Sequence, residues 1–124
     1  MRPLKIEGTE DTPSIILDKT NNVIEFSGMS LPENVTTFYE PVFKWIDEYV
    51  ESPNPQTEVI MKFDYFNTSS SKVILDILMK FKEIIDNGNE VIIKWYYKEY
   101  DEDMKEAGEE YTEIVEMPSE IIEY

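Results

Sequence analysis

The stretch EVIMKFDYFNTSSSKVILDILMKFKEII, residues 58–85, changes its period in the middle. At its start the residues alternate: Val59, Met61, Phe63 and Tyr65 share one face, with Lys62 and Asp64 on the other. That is the period-two pattern of a strand with one buried side. Apolar positions then recur at Ile74, Ile77, Leu78, Phe81 and Ile84, which predicts a one-sided helix over residues 72–86. Between the two lie Asn67, Thr68, Ser69, Ser70 and Ser71. A strand that runs directly into an amphipathic helix is the first half of a parallel crossover, so a second strand should follow.

It does. After the turn signal NGN (87–89), VIIKWYY (91–97) alternates again, with Val91, Ile93, Trp95 and Tyr97 opposite Lys94. Upstream, Val35, Phe38, Val42, Trp45, Ile46 and Tyr49 repeat at helical spacing within residues 33–51. Pro41 interrupts that pattern and predicts a kink or the start of a second segment. SPNPQ (52–56) is a loop, since its two prolines cannot continue a helix. SIILDK (14–19) and NVIEFSG (22–28), joined by an Asn-rich turn, read as a hairpin. A third helix is expected around 102–112, with Gly108 weakening it. A short strand at Leu4–Ile6 and an edge strand in VEMPSEIIEY complete the order β-β-α-β-α-β-α with its two additions.

Strands separated by helices pair in parallel through right-handed crossovers. Strands covered on both faces would be apolar throughout, whereas these carry Lys62, Asp64 and Lys94 on one face. The expected fold is therefore α/β: a mixed, mostly parallel sheet with helices packed mainly on one face and the other partly open. The 124 residues suit one domain spanning 1–124.

Composition narrows the function. The 27 acidic and 11 basic residues leave a net charge of −16, which raises the question of disorder. The 41% hydrophobic and 13% aromatic content answers it in favour of a folded core. A pI near 4.2 opposes direct binding to nucleic acid or anionic lipid. From Glu99 to Tyr124 the only basic residue is Lys105, so an acidic docking surface, or a decoy for a basic nucleic-acid-binding surface, is an alternative function. No run approaches the ~20 apolar residues of a membrane span, and MRPLKIEG has no apolar leader core. A cytoplasmic protein without membrane insertion is expected. There is no cysteine, hence no disulfide, zinc-thiolate site or thiol nucleophile.

Catalytic chemistry finds little support. The chain has no histidine, which removes the commonest general base. Neither GxGxxG nor a phosphate loop occurs. A two-carboxylate hydrolase would have Asp64 as its best-placed acid. The acids of DEDMK (101–105) lack the glycine and distal glutamate of a calcium loop and fit a helix start. No cofactor or metal is expected.

The hydroxyl run is the most specific feature. Ser, Thr and Asn are favoured caps because a side-chain oxygen can accept a first-turn N–H, but one cap needs one residue. A phosphate on one of these hydroxyls would add about −1.5 to −2 charges where the helix dipole favours an anion by ~0.3–2 kcal/mol.

The chain resembles the SiaC-type regulatory phosphoproteins, whose fold is like the STAS domain of anti-sigma-factor antagonists. The resemblance covers nearly the whole chain and rests on IEGTEDTPSI (6–15), LPENVTTFYEPVFKWIDEY (31–49), YFNTSSSKVILDIL (65–78) and VIIKWYYKEYDEDMKEAGEEY (91–111). The Gly-Thr-x-x-Thr-Pro and Asn-Thr-Ser-Ser elements are its specific parts. It implies a partner-switching protein and no enzymatic activity of its own. The implied phosphorylation site is Thr68, with Ser69 as the rival, and Asn67, Ser69 and Ser70 support it by capping the helix or orienting Thr68. The implied partners are a histidine-kinase-like ATPase acting as a Ser/Thr kinase, a PP2C-type phosphatase, and a GGDEF diguanylate cyclase that the unmodified protein binds and activates in cyclic-di-GMP signalling.

Overall fold

The computed structural model describes residues 1–124. Its elements in chain order are β1 (Leu4–Ile6), β2 (Ser14–Asp18), β3 (Val23–Ser30), α1 (Val35–Tyr49), β4 (Gln56–Phe66), α2 (Thr68–Asp86), β5 (Glu90–Tyr97), α3 (Glu102–Val115) and β6 (Ser119–Glu123). They form one six-stranded sheet in the order β1-β2-β3-β4-β5-β6. β1, β2 and β3 are antiparallel, while β4, β5 and β6 each add in parallel through a helix. Equal-handed crossovers between successive strands bring all three helices to one face. The expected mixed, mostly parallel sheet with one-sided helices is what the chain forms.

The alternation explains the core. Ile15, Leu17, Ile24, Phe26, Val59, Met61, Phe63, Val91, Ile93 and Trp95 are buried beneath the helices. Helix residues Tyr39, Val42, Ile46, Tyr49, Ile74, Ile77, Leu78, Phe81 and Ile84 close over them without measurable exposure. On the opposite face charges pair in water, Lys94 with Glu58 and Lys98 with Asp64 at 2.9 Å. The Lys62 ammonium lies 4.6 Å from the centre of the Tyr124 ring and 5.4 Å from that of Tyr96.

Three expectations are corrected. Of the two outcomes expected at Pro41, the start of a second segment is overturned: α1 runs unbroken through it, because Pro41 sits on the exposed side where water can serve the carbonyl it leaves unpaired. Tyr65 does not continue the inner face. A β-bulge pairs Gly28 with Phe63 but Met29 with Tyr65, so one residue is extra on β4. The parity flips, Tyr65 is 53% exposed, and Phe66 instead packs edge-on against Trp95 and beside Tyr111. Gly28, at φ +91°, supplies the backbone conformation opposite that bulge. Finally, α2 begins at Thr68, four residues before the expected start at residue 72.

Gly108 sits where α3 meets the sheet. A Cβ there would overlap the Trp95 indole at Cδ1, and the Trp95 indole N–H donates to the Met104 carbonyl at 3.0 Å. The glycine that weakens the helix by propensity is the one that lets it dock.

Candidate functional site

The hydroxyl run is the first turn of α2, immediately beyond the C-terminal end of β4. Asn67 is its N-cap: the backbone there is extended, and Oδ1 accepts from the Ser70 N–H at 2.9 Å. Capping by Ser69 or Ser70 is therefore overturned, since both already have helical positions and Asn67 alone precedes the turn. The Asn67 carbonyl also accepts from the Ser71 N–H at 2.9 Å. The N–H groups of Thr68 and Ser69 precede any carbonyl within the helix that could receive them.

The hydroxyls divide by environment. Ser70 is fully buried, as are Ser30 at the end of β3 and Tyr39 in α1. Ser70 Oγ donates to the Ser30 carbonyl at 2.9 Å and accepts from Ser30 Oγ at 2.8 Å. Ser30 Oγ lies 2.6 Å from the Tyr39 hydroxyl. Each hydroxyl has one proton, and that of Ser30 is already committed to Ser70. Tyr39 must therefore be the donor, and the chain runs Tyr39 to Ser30 to Ser70 to the Ser30 carbonyl. Burial pushes the Tyr39 phenol up to about 12, which keeps that proton in place. Ser71 is half-buried and its hydroxyl bonds the Tyr111 hydroxyl in α3. Thr68 and Ser69 point into solvent and join none of these contacts.

The Gly-Thr-x-x-Thr-Pro element meets the same place. The Thr9 hydroxyl accepts from the backbone N–H groups of Asp11 and Thr12 and lies 2.7 Å from the Thr12 hydroxyl. The loop so closed offers its Asp11 carbonyl to the Leu31 N–H at 2.7 Å. Its neighbour Ser30 receives Asn67 N–H at 3.2 Å through its carbonyl. Two motifs more than fifty residues apart in sequence thus converge on Ser30–Leu31.

Ser30 and Tyr39 were not singled out from the sequence. The available signal was Tyr39 on an apolar helix face, because a buried phenol requires a polar partner. The helix turns Tyr39 rather than Phe38 fully inward, and Phe38 packs edge-on against it at 5.0 Å. The other carboxylate candidates have structural partners: Asp64 pairs with Lys98, and Asp101 caps α3 by accepting from the Met104 N–H at 3.0 Å. No helix is long and apolar enough to cross a membrane.

Comparison with known proteins places this geometry. Residues 6–124 match the family described as SiaC family regulatory phosphoprotein. An uncharacterised protein of Pseudomonas aeruginosa strain UCBPP-PA14 is 31% identical over 118 residues, covering 95% of this chain and 94% of its own. SiaC of Pseudomonas aeruginosa superposes with a TM-score of 0.90 at 30% identity, covering all of both chains. A crystal structure of the diguanylate cyclase SiaD in complex with its activator SiaC, from the same organism, matches with a TM-score of 0.90 at 30% identity over 98% of this chain and 99% of that one.

Proposed function

This chain belongs to the SiaC family of regulatory phosphoproteins, and we propose that it is a partner-switching protein controlled by phosphate on Thr68. The observation that carries the reading is a division of labour. Asn67 caps the helix, Ser70 and Ser71 tie it to β3, α1 and α3, and Thr68 is exposed on a fully supported turn. A kinase can reach Thr68 without unfolding anything, and its hydroxyl is dispensable to the fold.

A phosphate there would lie at the positive end of α2, near the free N–H groups of the first turn, worth ~0.3–2 kcal/mol. The exposed Lys72 is one turn further on, at the i,i+4 spacing that lets opposite charges meet. The helix is thus stable in both states, and the switch acts by changing the surface rather than by melting it. Against −16 the added charge is small, so its effect is local.

In this reading the form unmodified at Thr68 binds and activates a GGDEF diguanylate cyclase, as the complex of SiaC with SiaD supports. A histidine-kinase-like ATPase adds the phosphate and a PP2C-type phosphatase removes it. The protein is substrate and ligand, with no reaction of its own, and acts in the cytoplasm. The test is incubation with the kinase and ATP followed by peptide mass spectrometry, and cyclase assays with each form. Phosphate on Thr68 and loss of cyclase activation on phosphorylation are expected, with Thr68→Ala activating constitutively. Phosphate confined to Ser69, or an unmodified 65–80 peptide with an active kinase, refutes the assignment.

A further inference from the structure

Of the eight tyrosines, six are engaged within the chain. Tyr39 and Tyr49 are buried against aromatic neighbours, and Tyr111 packs on Phe66 and Trp95. Tyr96 and Tyr124 meet edge-to-face beneath Lys62, and Tyr97 lies under Lys105. Tyr65 and Tyr100 have no ring or cation partner, and they are the two most exposed large hydrophobic residues, at 53% and 88%.

Special backbone holds each of them outward. The β4 bulge turns Tyr65 away from the core. Tyr100 is at φ +70°, in the left-handed region that a bulky side chain seldom occupies and glycine fills freely. Both lie at the C-terminal edge of the parallel strands, where Asp64, next to Tyr65, pairs with Lys98, two residues before Tyr100. Two exposed rings at one edge, one held there by a bulge and one on an unfavourable backbone, motivate a role outside the chain.

Charge selects the occupant. The exposed Glu99, Glu102 and Asp103 flank Tyr100 in the sequence, and Lys98 is already neutralised by Asp64. Guanidinium groups stack on tyrosine faces and pair with carboxylates in the same approach. We propose that Tyr65 and Tyr100 are the anchor contacts of a docking surface at this edge for an arginine-bearing protein surface, that of the cyclase. The identity of that partner rests on the function proposed above. Thr68 is three residues from Tyr65, so a phosphate there stands against the same footprint. Its charge alone would attract arginine, so exclusion of the partner is steric.

Two measurements test this. Calorimetric titration of the unphosphorylated protein with the cyclase compares wild type with Tyr65→Ser and Tyr100→Gly. Loss of at least about tenfold in affinity is expected for each, weakening further with salt. Tyr100→Gly should melt no lower than wild type, because it relieves the backbone, so stability and binding separate. Undiminished cyclase binding by both variants overturns the surface and leaves the proposed function standing. In the second measurement, aromatic NMR signals are followed as a synthetic arginine-rich helical peptide is added, with its lysine and glutamate counterparts as controls. Preferential shifts of Tyr65 and Tyr100 with the arginine peptide support the surface even where the cyclase itself fails to bind, an outcome that would sink only the cyclase assignment. Equal shifts with all three peptides, or none, overturn it.

Discussion

Replacing Ser70 by alanine tests the division of labour within the hydroxyl run. The substitution removes the acceptor of the Ser30 hydroxyl, leaving a buried donor stranded at a cost of about 2 kcal/mol. It also removes a bond to the Ser30 carbonyl, worth about 1 kcal/mol, although Asn67 N–H still serves that oxygen. The better helix propensity of alanine returns about 0.5 kcal/mol. The net loss is about 2.5 kcal/mol, or roughly 10 °C in melting temperature for a chain of this size. Thr68→Ala, one turn position away but exposed, should shift stability by less than about 0.5 kcal/mol. Urea unfolding followed by circular dichroism and tryptophan fluorescence would measure both. A Ser70→Ala loss below about 1 kcal/mol, or a Thr68→Ala loss of similar size, would refute the assignment of structural and signalling hydroxyls.

Asn67→Ala should cost about 1 kcal/mol through the lost cap, and Asn67→Asp should restore most of it; equal stability of all three by urea unfolding would place the cap elsewhere. Gly108→Ala gains about 1 kcal/mol in helix propensity but must push α3 off the Trp95 indole at about 3 kcal/mol or more, so a net loss of about 2 kcal/mol and an altered Trp95 fluorescence are expected; unchanged stability would mean that α3 docks differently. The Tyr39 phenol rises from 10.0 to about 12 chiefly by burial. A raised folded value means that its stabilisation is complete below pH 10 and is lost as pH climbs towards 12, about 3 kcal/mol in all. Lys80, Lys94 and Lys98, held up by Asp47, Glu58 and Asp64, begin to titrate in the same window. The informative quantity is therefore the slope difference between wild type and Tyr39→Phe; identical slopes would show that burial does not hold the proton on Tyr39.

Periodicity carried most of the architecture. Strands 91–97 and 14–19, the helix through Ile74 to Ile84 and the one-sided placement of helices all follow from which residues must leave water. The errors have local causes. The first turn of α2 contains only Thr68, Ser69, Ser70 and Ser71, so it has no apolar period by which to recognise a helix, and its cap could be assigned only once Asn67 was seen to precede it. Tyr65 was placed inward because alternation assumes an unbroken ladder, and a bulge depends on the facing residues Gly28 and Met29. The Tyr39–Ser30–Ser70 chain joins three elements, and no short-range pattern reports that. Thr68 itself stood out as one of several hydroxyls, and the family motif distinguished it.

The strand order has a consequence for how the protein is made. Every strand lies beside the one that precedes it in the chain, so no strand has to be inserted between two that have already paired. During synthesis each crossover can settle on a finished edge, with contacts that close short stretches of chain and therefore little loop entropy at each step. The Ser30 anchor for the α2 start is in place before Asn67 and Ser70 emerge to use it. The edge bearing Tyr100 is completed late, after the β3–β4 platform that supports Thr68. A nascent chain would thus present the turn bearing Thr68 before the edge bearing Tyr100 is complete.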